Sequence, residues 1–279
     1  MRLGIFAKTF IRPALEQTLD AVRAHGLDCV QFNLSCVGLP SLPEEIAPAL
    51  CTRVDRALAE RSIGMAAISG TFNMIHPDLE RRRDGLRRLG VLARSCARLG
   101  TSLITLCTGT RDPKDMWRHH PDNNSPRAWR DLEESMAKAL AIAEEADVTL
   151  AIEPEVANVV DTAAKAAQLL AKTRSPRLKI VIDPANLFHK GEIFRMHDVL
   201  NEAFALLGPD IVLAHAKDIG NHGHVPAGKG LLDYDHYLEW LRKIDFQGPL
   251  IVHGLEEAEV GECLAFLRKK TLGFRPLPT

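Results

Sequence analysis

Short apolar runs alternate with amphipathic stretches along the whole chain. The runs are RLGIFA (2–7), DCVQFNL (28–34), GMAAISG (64–70), SLITLCT (102–108), VTLAIEP (148–154), LKIVID (178–183), IVLAHA (211–216) and PLIVHG (249–254). Brief, apolar and rich in branched residues, they read as strands buried on both faces. Between them, apolar positions recur at helical spacing near 13–25, 44–62, 79–99, 126–146, 159–172, 194–207, 234–243 and 257–270. Strands alternating with helices predict a parallel sheet covered by helices. Eight such units, about 35 residues each, predict an α/β fold of the (β/α)8 TIM-barrel type, one domain spanning 1–279.

The joints agree with this reading. Helix-to-strand connections carry glycine or aspartate in HGLD (25–28), RLGTS (98–102), EADV (145–148) and DFQG (245–248), residues that end helices readily. Pro126 directly after Ser125 reads as a helix start. The connection GTRDPKDMWRHHPDNNS (109–125) is the longest without helical pattern. It follows a strand, which puts it on the face where such barrels carry their chemistry. FRPLPT at the end reads as a short tail.

Three strands stop on polar residues of one chemical kind. LAIEPE (150–155) ends on Glu153, KIVIDPANLF (179–188) on Asp183 and IVLAHAKD (211–218) on His215. PLIVHGLEE puts His253 in the matching place on the eighth strand. Any one alone reads as a capped turn or a hydrogen-bonded histidine. Four on successive strand ends of one barrel face read as a cup for a divalent cation. Mixed oxygen and nitrogen donors favour Mn, Co, Fe, Ni or Zn over Mg or Ca.

Composition narrows the partners. A formal net charge of −1 gives no electrostatic footprint for nucleic acid. The six cysteines are scattered without a CxxC pair, so buried thiols in a reducing cytoplasm are expected, not a disulfide framework. MRLGIFAKTF is too short an apolar run for a signal peptide, and no run is long enough to span a membrane. No GxGxxG or GxxxxGK[ST] occurs, so no nucleotide cofactor is expected.

LAIEPE, VIDPAN and HAKD, with GKGLLDYDHYLEWL (228–241) after the seventh strand, resemble the xylose-isomerase-like TIM barrels. These are the sugar phosphate isomerase/epimerase proteins, with ketose 3-epimerases, inosose dehydratase and endonuclease IV among their relatives. The resemblance covers essentially the whole chain. It implies a divalent metal, manganese first and Co, Fe, Ni, Zn or Mg as alternatives, held by Glu153, Asp183 and His215. It also implies a small sugar substrate. Many members end the eighth strand on a glutamate that serves as ligand and acid/base group; here His253 stands there, with Glu256 and Glu257 just beyond. The relatives' frequent assembly into dimers or tetramers leaves homo-oligomerisation open.

The chemistry expected is isomerisation or epimerisation of a small sugar or ketose through an enediolate, with Glu153 as base, Glu155 in reserve and His253 as the second catalytic group. A dehydratase or lyase on a keto-sugar or inosose would use the same site. A three-metal DNA-repair endonuclease would need more ligands and a basic face, and a non-catalytic sugar-binding barrel would need no second base. Asn73, His76, Arg111, Asn186 and Lys217 follow strands on the same face and are the expected substrate contacts. Trp117 in the long loop is a candidate cover for a sugar ring, with loop packing as its plainer role.

Overall fold

The structure, a computed structural model, describes residues 1–189 and 191–272, so the FRPLPT tail lies outside the described residues. Nine strands appear. They are β1 (Arg2–Phe6), β2 (Cys29–Phe32), β3 (Gly64–Ser69), β4 (Leu103–Leu106), β5 (Thr149–Ile152), β6 (Leu178–Ile182), β7 (Ile211–Gly220), β8 (Gly223–Pro226) and β9 (Pro249–Val252). The helices are α1 (Leu15–Ala24), α2 (Pro48–Ala59), α3 (Leu79–Leu99), α4 (Pro126–Glu145), α5 (Ala163–Thr173), α6 (Met196–Leu207), α7 (Tyr234–Lys243) and α8 (Val260–Thr271).

Eight strands pair in parallel from β1 to β7 in chain order, then through β9 back to β1. The ring is closed, as a TIM barrel requires. β8 is outside it. It folds back antiparallel on β7, pairing Lys217 with Pro226 and Gly220 with Gly223. The glycine-rich stretch 220–230 therefore begins as a hairpin and lengthens the seventh strand beyond the expected 211–216.

Local chemistry explains the joints. Ser125 caps α4 by accepting the Ala128 N–H at 3.1 Å, with Pro126 in the first turn. Gly26, Gly100, Asp147 and Asp245, one in each of the four helix-to-strand joints, have φ of 69°, 83°, 53° and 49°. These are left-handed values that let the chain reverse within a residue or two.

Alternation along the strands builds two layers inside the ring. Cys29, Ala67, Ala151, Val181, Leu213 and Ile251 form a small apolar cluster with Phe6, separate from the large core between strands and helices. Two residues further along the same strands stand Gln31, Ser69, Glu153, Asp183, His215 and His253. Side chains two apart share a strand face. The lumen therefore passes from an apolar plug to a polar layer at the C-terminal strand ends.

β7 is also held from outside. Tyr237 and Tyr234 of α7 donate their hydroxyls to the carbonyls of His215 and Lys217, each at 3.0 Å. Asp218 accepts four backbone N–H groups, from Ile219, Gly228, Gly230 and Leu232, at 2.8–3.1 Å. A Cβ at Gly230 would lie 2.2 Å from Asp218 Oδ1. That contact accounts for the glycine at 230. Among the described residues no helix is long and apolar enough to cross a membrane.

Tyr237→Phe leaves the His215 carbonyl without that donor in a fully buried place. It should lower unfolding stability by about 1–2 kcal/mol without loss of secondary structure, read by urea unfolding followed by circular dichroism. The cysteines are all free. Burial pushes the thiols of Cys29 and Cys36 up to about 11 and those of Cys96 and Cys263 up to about 12. Native protein should thus react slowly with thiol reagents at neutral pH and release all six equivalents only on unfolding.

Candidate metal centre and active site

Glu153, Asp183, His215 and His253 converge. One donor atom from each lies within 4.8 Å of the others. Each comes from a different strand of the ring, β5, β6, β7 or β9, near where its pairing in the ring ends, which is why residues scattered over a hundred positions meet at one point.

Asp183 is fully buried. Its Oδ1 accepts the Ala185 N–H at 2.9 Å. Its Oδ2 takes Lys217 Nζ at 2.9 Å and His253 Nε2 at 2.9 Å. Burial alone would raise its pKa, but Lys217, His215 and His253 hold the carboxyl well below the usual range. Glu153 is treated likewise: burial opposes ionisation, His215 outweighs it, and the acid stays charged. Asn186 donates to Glu153 Oε1 at 2.6 Å and accepts from Lys217 Nζ at 2.6 Å. The lysine thus fixes the amide's orientation, and the amide fixes the glutamate.

His215 carries the telling atom. Its Nδ1 is buried and has no hydrogen-bond partner among the described residues. It faces Glu153 Oε1 at 3.4 Å and Asp183 Oδ2 at 3.6 Å, within ion-pair range but off hydrogen-bond geometry. Burial would depress its pKa, yet Glu153 and Asp183 lift it to about 9. The cluster attracts positive charge strongly enough to protonate an enclosed imidazole. A buried, unpartnered ring nitrogen aimed between two carboxylates, with a second imidazole beside it, is a donor set of the kind that holds a divalent cation once the ion displaces the proton. His253 behaves oppositely. Burial and the nearby His215 charge press it down to about 4, so it is neutral near pH 7.

A cavity of about 630 Å³ opens over the cluster, lined by Glu153, Glu155, Asn186, Lys217 and His253 among others. Glu155 stands two residues beyond Glu153, and burial with the Glu153 charge raises it to about 7. Trp117, half exposed, reaches the cavity from the long loop, as does His224 from β8.

Three expected substrate contacts are not in this cavity. Asn73 donates to the Thr110 carbonyl at 2.8 Å and accepts the Thr110 N–H at 3.1 Å, tying the loops after β3 and β4. His76 donates to the Pro113 carbonyl at 3.1 Å and accepts the Asp78 N–H at 3.0 Å. Arg111 is buried against Asp131, which Arg82 also meets at 3.2 Å. Their polar groups are spent on holding loops, because a buried loop must satisfy its backbone. Glu256 and Glu257 also stay out. Glu256 caps a short turn with Glu259, and Glu257 pairs with Arg12 at 2.5 Å.

One site residue escaped the sequence reading. Gln31 on β2 is buried and accepts the His215 Nε2–H at 2.8 Å. An amide at an inward position of DCVQFNL, between apolar Val30 and Phe32, was its signal.

The sequence profile of the family described as xylose isomerase-like TIM barrel matches residues 19–270. The chain belongs to that family. Among solved structures, the chain is similar to 3-keto-D-glucoside 4-epimerase from E. coli, with 19% identity, TM-score 0.74, and 96% of this chain and 99% of that one covered. D-psicose 3-epimerase shares 17% identity at TM-score 0.75 over 98% of this chain and 100% of its own. The probable 3-DHS dehydratase from Bacillus anthracis shares 14% at TM-score 0.74 over 96% and 98%. At such identities the likeness is one of fold. Comparison with curated proteins gives no match in sequence.

Arg111→Met should cost on the order of 2–3 kcal/mol of stability by breaking a buried pair. It should leave the affinity of the cavity for any ligand unchanged, which separates a structural arginine from a substrate contact.

Proposed function

We propose that the chain is a divalent-metal-dependent isomerase or epimerase of a small sugar or ketose, acting through an enediolate. The observation that carries this reading is the four-residue cluster with its unpartnered His215 Nδ1. The membership of the family and the fold shared with sugar epimerases support it. Glu153, Asp183, His215 and His253 would hold the ion. A divalent cation held there would supply polarisation of a carbonyl and a neighbouring hydroxyl, which acidifies the proton on the hydroxyl-bearing carbon next to the carbonyl.

The chain's own residues do the rest. Glu153 takes the proton, its carboxylate kept ionised by His215 and oriented by Asn186. Lys217 sits beside Asp183 and brings a fixed positive charge to the place where negative charge develops. His253, on another strand end than Glu153, is neutral near pH 7; where Glu153, Asp183 and His215 alone hold the ion and His253 Nε2 stays on Asp183, the His253 Nδ1 lone pair is the second proton acceptor. Two groups on separate walls allow a proton to leave one face of the carbon and return to the other, which is epimerisation. Return to the adjacent carbon is isomerisation. Trp117 is placed to cover the ring of a bound sugar.

A dehydratase acting on a keto-sugar or inosose is the second reading, and a specific feature favours it. The eighth strand of the ring ends in His253, while both cavity carboxylates, Glu153 and Glu155, stand on one strand end. A base and an acid on the same side suit removal of a proton and a hydroxyl from neighbouring carbons.

Purified protein should carry one metal ion per chain, and Asp183→Asn, still folded, should carry none, both read by elemental analysis. Incubated with ketoses in D2O, the wild type should place deuterium next to the carbonyl. Glu153→Gln should slow that exchange by about 10²–10⁴-fold. A wild type that stays metal-free after reconstitution sinks the reading. Loss of water from the substrate in place of an isomer moves it to the dehydratase.

A further inference from the structure

We infer that Gln31 is the positioning residue that sets the tautomer and orientation of His215 for the ion. This rests on the metal reading above and extends it to a part of the barrel that none of the four candidate ligands occupies.

Gln31 stands on β2, three strands around the ring from β7 by way of β1 and β9. It reaches through the lumen to a residue 184 positions away in sequence. Its two amide ends are committed in opposite senses. Nε2 donates to Thr105 Oγ1 on β4 at 3.1 Å, and Oε1 receives His215 Nε2 at 2.8 Å. In this orientation the hydroxyl of Thr105 takes the amide N–H, and the end facing the histidine is the acceptor. His215 then donates an Nε2–H to that oxygen and keeps it when an ion takes the place of the proton on Nδ1. The remaining nitrogen, Nδ1, is the one aimed at Glu153 and Asp183.

The environment makes the choice binding. Gln31 and His215 are 3% and 2% exposed, so the bond between them is largely shielded from solvent. A histidine ligand whose far nitrogen donates to a fixed acceptor is held in the right tautomer and ring plane, and loss of such an acceptor typically weakens metal affinity. Ala214 and Ala216 flank His215 in β7 and present no polar group of their own. The chain thus reads as a bridge of Thr105, Gln31 and His215 from one wall of the barrel to the other. It converts a freely rotating imidazole into one with a defined donor side and a defined ligand side.

Two readouts test this. Calorimetric titration with Mn²⁺ should show Gln31→Met weakening binding about 10–100-fold. Gln31→Glu, which still offers an oxygen to Nε2–H, should restore it. In the metal-free protein, nitrogen-edited NMR should show a slowly exchanging His215 Nε2–H. That resonance should be lost in Gln31→Met and move downfield in Gln31→Glu, where the acceptor is charged. Should Gln31→Met not fold, the downfield move in Gln31→Glu remains the deciding measurement, and an unmoved resonance there overturns the inference. Wild-type affinity and an unaltered resonance in Gln31→Met overturn it as well. Failure of wild type to bind Mn²⁺, with the resonance still dependent on residue 31, sinks the metal reading and leaves the His215–Gln31 bond established.

Discussion

A fully buried carboxylate cannot remain ionised without partners, and Asp183 has them from two other strands of the ring and its own turn. Lys217 from β7, His253 from β9 and the Ala185 N–H all point at it. Each is in turn engaged elsewhere: Lys217 with Asn186, Asn186 with Glu153. The C-terminal ends of four ring strands are thereby locked to one another through charge. Pro184 stops β6 where this network begins and opens the short turn whose N–H groups cap the aspartate. The geometry of the site and the geometry of the barrel mouth are one arrangement.

Around that centre the molecule separates polar residues by task. Inside the ring, polar side chains face one another and a cavity. In the loops after β3 and β4, equally polar residues face backbone. Asn73, Arg111 and Asn123 stitch the long connection down: Asn123 Oδ1 accepts the Arg111 N–H at 2.8 Å and the Thr110 hydroxyl at 3.0 Å. This loop carries Trp117 to the cavity, so the stitching is what lets a long connection present an indole at a defined place. A Cβ at Gly109, where φ is 82°, would meet the Asn73 side chain at 2.1 Å. The close approach explains a glycine at the start of this loop.

The barrel was legible because its signals are local. A strand buried on both faces is a short apolar run, a helix repeats its apolar positions every three or four residues, and a joint needs a residue that tolerates a left-handed turn. None of these depends on distant parts of the chain. The eight ring strands and eight helices therefore lie where patterning puts them, and Glu153, Asp183, His215 and His253 lie at their ends. The β7–β8 hairpin was not legible, because GNHGHVP carries glycine and polar residues that read equally as loop.

The sequence by itself determined which residues share the inner face of each strand and which stand at its C-terminal end. That follows from a two-residue period and a closed parallel ring, both of them properties of local pattern. Only the tertiary structure decided what those residues meet. Gln31 finds His215 across the lumen, 184 positions away. Asn73 turns to the neighbouring loop instead of the cavity, and Arg111 goes to Asp131 of α4. A polar side chain bonds the nearest unsatisfied group, and which group is nearest depends on how separate loops pack. No pattern within one segment carries that information.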